Sequence, residues 1–218
     1  MIEQILKNGR GKFINSNILP NVSLGRYTNG SLISNEHEHY SITESSSSID
    51  ISKGPSADRK KQFLWIPWIP GSISEVAGDV GLDIITGPMS GCWIVNYMKE
   101  GEFRQHTGHI GTYNTTDSPE SVAAKAKWRE LITKGVKPIV GFCPSSVAFD
   151  TNEGQQLKAA DPIIYALVTD TRMLYTIIIW RVPGIDAHGH AATKFKLGTV
   201  YHVKSATMDV LIDPFTKK

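Results

Sequence analysis

Residues 162–182 read PIIYALVTDTRMLYTIIIWRV, and the class of fold follows from this stretch. Its two apolar runs, Ile163–Thr169 and Leu174–Val182, are rich in β-branched and aromatic residues, which predicts two β-strands. Neither run approaches the roughly 20 residues that a membrane-spanning helix needs. We therefore expect a β-rich chain that does not enter a membrane.

Strands of the same kind are predicted along most of the chain. The further predictions are Val80–Ile85, Cys92–Met98, Phe103–Gly108, Pro138–Cys143, Phe195–Val203 and Met208–Ile212, with one or two edge strands within Val22–Ser52. Residues 63–70 read FLWIPWIP, and the two prolines favour an edge strand or a crossing loop there. Gly184–Ala192 is predicted to be a long loop.

One segment carries the signals of a longer helix. Asp117 is an acidic cap before Pro119, and proline is favoured in the first helical turn. Ala124, Trp128 and Leu131 recur on one helical face. The alternating strand–helix units of a doubly wound sheet are missing. We therefore predict an α+β fold, in which a β-sandwich of mostly antiparallel or mixed sheets carries this one main helix.

Length and charge narrow the classes of function. The 218 residues fit a single domain over residues 1–218. The 23 basic and 21 acidic side chains nearly balance, which argues against a nucleic-acid binder driven by overall charge. The N-terminus, MIEQILKNGRGKF, lacks the apolar stretch of a signal peptide. Two cysteines are too few for the disulfide framework of a small secreted domain.

The first of these cysteines, Cys92, follows Ser90 and Gly91 at a turn that leads into a predicted strand. Successive backbone amides at such a turn can converge on a developing oxyanion. His106 and His109 belong to the other half of the predicted hairpin, which would bring either histidine close to Cys92. A nearby imidazole lowers the pKa of a thiol and shuttles protons. The spacing predicts a nucleophilic cysteine without separating the histidines; a buried structural cysteine is the alternative.

Residues 86–92, TGPMSGC, followed by a strand, a turn and His106, resemble the active-site segment of the bacterial glutamine deamidase toxins. This family includes the cytotoxic necrotizing factors and Burkholderia lethal factor, and it is related to the chemotaxis receptor deamidase. Residues 65–68, WIPW, are similar to a segment of Burkholderia lethal factor at a similar distance from the cysteine. The resemblance covers residues 63–112.

The resemblance implies Cys92 as the nucleophile, His106 as the acid–base group and Thr86 as the residue that orients the imidazole. The other candidate site residues, in the oxyanion turn and in a substrate groove, are Ser90, Gly91, Trp65, Trp68 and His109. The mechanism implied by the resemblance needs no metal and no organic cofactor.

The implied function is conversion of a target-protein glutamine to glutamate through a thioester on the cysteine. We expect a monomeric toxin or effector without a classical signal peptide that modifies a host protein, such as a translation factor or a small GTPase, in the host cytosol. Neither a nucleic acid nor a membrane is an expected partner. Two other classes stay open: another Cys–His enzyme, such as a thiol protease or a transglutaminase-like acyltransferase, and a β-sandwich binding module without catalysis.

Other side chains with nucleophilic or metal-binding potential receive structural interpretations. Cys143 ends an apolar strand and is predicted to be a buried structural thiol; a disulfide with Cys92 is the alternative. Residues 37–39 (HEH) and 188–190 (HGH) lack the spacing of a zinc motif, so exposed loop histidines are expected at both places.

Overall fold

The computed structural model describes residues 2–15, 27–34, 36–78, 81–113, 115, 117–159 and 161–215. Its helices are α1 (Ile2–Asn8), α2 (Pro119–Thr133), α3 (Thr151–Gln156) and α4 (Met208–Ile212). Its strands are β1 (Phe13–Asn15), β2 (Leu32–Ile33), β3 (Glu38–Glu44), β4 (Ser48–Lys53), β5 (Gln62–Pro67), β6 (Ile73–Ala77), β7 (Asp83–Met89), β8 (Trp93–Met98), β9 (Gln105–Ile110), β10 (Lys137–Phe142), β11 (Pro162–Val168), β12 (Leu174–Ile185) and β13 (Ala191–Val203).

Eight of these strands close into a barrel, in the order β1, β13, β12, β11, β7, β5, β3 and β4. The barrel closes because β4 pairs in parallel with β1. The other five strands form a second sheet, in the order β10, β8, β9, β6 and β2. The predicted β-sandwich with one main helix is therefore wrong. Pairing between β1 and β4 joins the two edges of one sheet to each other, which leaves a barrel instead of one layer of a sandwich.

Large apolar side chains fill the inside of the barrel. An eight-stranded barrel is just wide enough for side chains to occupy its interior. The ring of Trp65 lies there between Tyr40 and Tyr165, with ring centroids 6.4 and 6.0 Å away. Ile2 and Leu6 of α1 extend the same core. The other buried members are Ile14, Ile42, Ile49, Phe63, Ile85, Leu167, Tyr175, Ile177, Ile179 and Leu197.

The first part of the segment FLWIPWIP, Phe63–Pro67, lies within this barrel and not at an edge. β5 pairs with β3 on one side and with β7 on the other. The edge strand or crossing loop predicted for residues 63–70 is therefore wrong for Phe63–Pro67. The first proline is tolerated because it is the last residue of β5, and the second proline lies beyond the strand.

The second sheet packs between the barrel and α2. On one face, residues of β6, β8 and β10 pack against outward-facing residues of the barrel; this layer contains Leu64, Ile66, Val76, Ile84, Cys92, Ile94, Phe142 and Ala166. On the other face, the sheet packs against α2 through Ile73, Val95, Tyr97, Ile110, Ala124, Trp128 and Leu131. The described part of the chain therefore has three layers, and the strands of the second sheet send alternate side chains to the barrel and to the helix.

The main helix is confirmed, with a small difference at its start. Ser118, not Asp117, is the N-cap: its hydroxyl accepts a hydrogen bond from the Ser121 amide at 3.1 Å. Pro119 is the first helical residue, and Ala124 and Trp128 are buried as the sequence pattern predicts. Within the described residues, no helix is long and apolar enough to cross a membrane.

Several predicted segments differ from the structure in type or in bounds. Met208–Ile212, predicted as a strand, is the helix α4, which buries Leu211 beside Trp128 of α2. The loop predicted over Gly184–Ala192 is a shorter turn, because β12 and β13 extend into it from both sides. The strand predicted at Val80–Ile85 is observed as β7, which begins at Asp83; Val80 lies outside the described residues.

The position of Trp65 generates a stability prediction. Trp65→Ala should lower the free energy of unfolding by about 3–5 kcal/mol, because it removes a ring from the closed barrel core. Urea denaturation followed by circular dichroism measures the change. Trp68→Ala serves as the control and should cost less, because Trp68 is only half-buried. Equal losses in the two variants would contradict the placement of Trp65 as a core residue.

Candidate active site

Cys92 lies where the chain passes from the barrel to the second sheet. β7 ends at Met89, Ser90 and Gly91 form a bend, and β8 begins at Trp93. The Cys92 side chain is completely buried in the layer between the barrel and the second sheet. The predicted turn before a strand is therefore confirmed, but the thiol is covered and not presented to solvent.

The register of β8 and β9 decides which histidine shares a face with Cys92. Ile94 pairs directly with His109, and Tyr97 pairs directly with His106. Directly paired residues point to the same face, and successive residues alternate. Cys92 precedes Ile94 by two positions, so it points to the barrel together with His109. His106 points to the opposite face, toward α2. A register difference of one residue exchanges the two faces.

Thr86 forms its hydrogen bond with His109 and not with His106. The Thr86 hydroxyl donates to the Ile66 carbonyl at 2.6 Å, and its oxygen lies 2.6 Å from His109 Nδ1. Because the hydroxyl hydrogen is used on Ile66, His109 Nδ1 must donate to Thr86 Oγ1. The second nitrogen, Nε2, then carries the lone pair, and it has no hydrogen-bond partner among the described residues. This tautomer is the one that a general base needs.

Burial keeps the His109 imidazole neutral. The ring has no exposed surface, and burial lowers its pKa to about 3. Its neighbours across the sheet are Ile94 and Ser74, neither of which carries a charge. At neutral pH the imidazole is therefore unprotonated on Nε2, and its lowered pKa makes this nitrogen a weaker base than that of a free histidine.

The Cys92 thiol is also neutral in this conformation. Its Sγ donates to the Thr112 carbonyl at 3.4 Å, and the Thr112 hydroxyl lies 3.8 Å from Sγ. Burial raises the pKa of Cys92 to about 11, and hydrogen bonds from Thr112 and from the backbone at Gly91 oppose this only in part. This direction is opposite to the lowered thiol pKa that the Cys–His spacing suggests. Cys92 and His109 are diagonal neighbours across the sheet, and no hydrogen bond joins the thiol to His109 Nε2, which has no partner among the described residues.

Ser90 and Gly91, the residues of the predicted oxyanion turn, form the bend next to the thiol. Ser90 is exposed and Gly91 is half-buried. A Cβ atom on Gly91 would lie 3.8 Å from the Thr112 hydroxyl, an ordinary contact, so close packing does not by itself require glycine here. The bend leaves its backbone at the boundary between solvent and the buried thiol.

Of the two tryptophans assigned to a substrate groove, only Trp68 is connected to Cys92. Its indole Nε1 donates to the Thr112 carbonyl at 3.2 Å, and its ring meets Tyr113 edge-on with centroids 5.4 Å apart. Trp65 belongs to the barrel core and has 4% of its surface exposed. Thr112 was missed by sequence reasoning, because its contact uses a backbone carbonyl that no residue pattern reveals.

His106, the acid–base group implied by the family resemblance, lies in a separate polar network. It stacks on Tyr97 with ring centroids 5.7 Å apart. Its Nε2 lies 2.7 Å from a Glu102 oxygen, and its Nδ1 lies 3.5 Å from Glu75 Oε2. None of these contacts reaches Cys92 or Thr86. The network gives His106 a structural environment on the α2 side of the sheet.

The centre of this network is the buried carboxylate of Glu75. Lys99 Nζ and the Ser34 hydroxyl donate to its Oε1 at 2.6 Å each, and the Tyr97 hydroxyl donates to Oε2. Burial alone would raise the pKa of Glu75, but these hydrogen bonds and the Lys99 charge lower it below its ordinary value. Glu75 is therefore a buried charged group that Lys99, Ser34 and Tyr97 hold within the second sheet.

The remaining candidates do not assemble a site. Cys143 is half-buried and not fully buried as predicted, and its Sγ lies 3.2 Å from the Ser145 hydroxyl. Both cysteines are free thiols. His188 and His190 are exposed in the β12–β13 turn, whereas His39 lies on β3. Within the described ranges, no three or more His, Cys, Asp and Glu side chains gather closely enough to hold a metal ion.

Comparisons with protein families and with curated proteins found no relative of this chain. The chain matches no protein-family model, and a search of curated proteins found no match. The interpretation of the site therefore rests on its geometry and on the resemblance of residues 63–112.

Glu75 generates a prediction for acid stability. Its pKa is lowered in the folded state, so the stability that it contributes is present above the unfolded value of 4.5 and is lost as pH falls through the folded value. Glu75→Gln should be less stable than wild type near pH 7 and should lose less stability between about pH 6 and about pH 3. Urea titrations across this range measure both effects; parallel curves would contradict the assignment.

The covered thiol generates a prediction for alkylation. Iodoacetamide should modify Cys92 more slowly near neutral pH than it modifies a free small-molecule thiol, and the rate should rise toward the thiol pKa of about 11. Peptide mass mapping separates Cys92 from Cys143. A rate plateau near neutral pH would show a stable thiolate and would contradict the neutral resting state.

Proposed function

We propose that the protein is a glutamine deamidase that acts on other proteins, with Cys92 as nucleophile, His109 as acid–base group and Thr86 as the orienting residue. The observation that carries the proposal is the hydrogen bond from His109 Nδ1 to Thr86 Oγ1. It leaves His109 Nε2 as the basic nitrogen on the face of the sheet that holds Cys92. The same geometry favours His109 over His106 for the role that the family resemblance assigns to a histidine.

The first half of the proposed reaction makes a thioester. His109 Nε2 takes the proton of Cys92 while Sγ bonds to the side-chain carboxamide carbon of the target glutamine. Backbone amides at Gly91 and Cys92 stabilise the oxyanion, and one such donor is worth about 10²–10³ in rate. The protonated imidazole then gives its proton to the amide nitrogen, the carbon–nitrogen bond breaks, and ammonia leaves.

The second half hydrolyses the thioester. His109 Nε2 removes a proton from a water molecule as its oxygen attacks the thioester carbon. The carbon–sulfur bond breaks, Sγ of Cys92 recovers the proton, and glutamate is released. Thr86 holds the ring through both halves, because the hydrogen bond at Nδ1 fixes the tautomer in which Nε2 is basic.

In the structure both the Cys92 thiol and the His109 imidazole are neutral, so the thiol must be activated during the reaction. A thiol with a pKa of about 11 and an imidazole with a pKa of about 3 do not form an ion pair at neutral pH. Proton transfer from the thiol to His109 Nε2 must therefore accompany attack, which is general base catalysis. Substrate binding must also bring Sγ and Nε2 within hydrogen-bond distance.

A binding module without catalysis is the second candidate, and one observation favours it. Cys92 is completely buried and its pKa is raised, as in a cysteine that only fills a core. Under this candidate the Thr86–His109 pair would be a buried hydrogen bond that serves packing alone. The two candidates differ in whether Cys92 forms a covalent intermediate.

The proposed substrate is a glutamine on the surface of a host protein, and the proposed site of action is a host cytosol. Both cysteines are free, which suits a reducing compartment. Conversion of glutamine to glutamate introduces a negative charge where the target surface was neutral, and this change would disable the surface.

Four substitutions test the proposal. The wild-type protein, incubated with host-cell lysate, should convert specific glutamines to glutamates, as read by proteome-wide mass spectrometry. Cys92→Ser and His109→Asn should abolish the conversion, and Thr86→Val should lower its rate. Loss of the general base should cost about 10²–10⁴ in rate. His106→Asn is the matched control and should retain activity, because His106 lies on the other face.

Circular dichroism must first show that each variant is folded. An inactive His106→Asn with an active His109→Asn would reverse the assignment of the histidines. Activity in Cys92→Ser would rule out the thioester mechanism. Cleaved target peptides in place of deamidated ones would favour a thiol protease.

A further inference from the structure

One backbone carbonyl connects the buried thiol to an aromatic surface. The Thr112 carbonyl accepts the Cys92 thiol at 3.4 Å and the Trp68 indole N–H at 3.2 Å. Cys92 has no exposed surface, so a protein glutamine reaches Sγ only after a neighbouring group moves. Trp68 and Thr112 are the candidates, because the Trp68 indole and the Cys92 thiol both donate to the Thr112 carbonyl.

The two sides of this contact are held unequally. The segment around Thr112 is anchored: the Gly111 amide donates to the Ser72 carbonyl at 2.9 Å, and the Tyr113 amide donates to the Ser121 hydroxyl at 2.9 Å. Trp68 lies one residue beyond β5, and its half-buried ring packs against the apolar layer that contains Cys92. The indole makes a single hydrogen bond, to the Thr112 carbonyl, so the ring is the side that can move without breaking backbone hydrogen bonds.

Trp68 and Tyr113 form an aromatic pair at the protein surface. Their rings meet edge-on at 5.4 Å, Tyr113 is 38% exposed, and Trp68 is half-buried. Such rings offer a large apolar contact area with a polar atom at one edge. Neither ring takes part in a cation–π contact in the described part of the chain. A large apolar side chain of a bound segment is the chemistry that this pair fits.

We propose that Trp68 and Tyr113 bind an apolar side chain next to the target glutamine, and that this contact uncovers Cys92 by drawing the indole away from the Thr112 carbonyl. The inference rests on the proposed deamidase function and adds the sequence context of its substrate. It also accounts for the covered, neutral thiol: the nucleophile becomes accessible when the correct segment is bound.

The contact in which the Trp68 indole keeps Cys92 covered is called the latch. Alkylation of Cys92 tests it without any substrate. Trp68→Phe keeps a ring but removes the N–H, and it should speed iodoacetamide modification of Cys92 by about two- to tenfold, the effect of losing one hydrogen bond. Tyr113→Ala, which removes the ring beside Trp68, should act in the same direction. Trp180→Phe is the matched control. It removes an indole N–H that donates to Glu153 and not to Thr112, so it should leave the alkylation rate unchanged.

Two glutamine peptides that differ only in the neighbouring residue, leucine or serine, test the substrate contact. The wild-type protein should deamidate the leucine peptide faster, by about tenfold for burial of one aliphatic side chain. Trp68→Ala should bring the two rates close together. Ammonia release and peptide mass measure both rates.

The outcomes separate the two proposals. Unchanged Cys92 alkylation in both Trp68→Phe and Tyr113→Ala would overturn the latch. Equal rates on the two peptides in the wild-type protein would overturn the apolar contact. Faster alkylation in the variants, with no deamidation of any peptide or lysate protein by the wild type, would overturn the proposed function while leaving the latch in place.

Discussion

The pairing register of β8 and β9 is the constraint on which the candidate site depends. It places His109 opposite Ile94 and therefore on the side of the sheet that faces the barrel, where Cys92 also points. The same register sends His106 toward α2 and the Glu75 network. Because side chains alternate along a strand, no small adjustment exchanges these positions without reversing every buried residue of the hairpin.

The site belongs to two parts of the fold at once. Thr86 is on β7 of the barrel, His109 is on β9 of the second sheet, and Cys92 lies in the short passage between β7 and β8. The hydrogen bond between Thr86 and His109 therefore crosses the layer where barrel and sheet pack. Apolar neighbours in this layer exclude water. The absence of water strengthens the hydrogen bond and keeps the Cys92 thiol and the His109 imidazole neutral.

The elements of the fold were predictable to different degrees. α2 was predictable because its cap, its proline and its apolar face are local signals. The strands after residue 90 were largely predictable from apolar runs. α4 was not, because Met208–Ile212 is too short for a helical period to show. The barrel was not predictable either: its closure depends on β1, three residues long, pairing with strands distant in the sequence.

The sequence by itself determined which groups the candidate site contains: a cysteine after a tight turn, a threonine six residues earlier and histidines on the next strand. Only the tertiary structure decided which histidine joins them and whether the thiol is accessible. Residue spacing brings both histidines near Cys92, but strand register and burial place His109, and not His106, on the face of the sheet that holds Cys92. Those properties arise from pairing and packing between distant segments, which local sequence patterns do not encode.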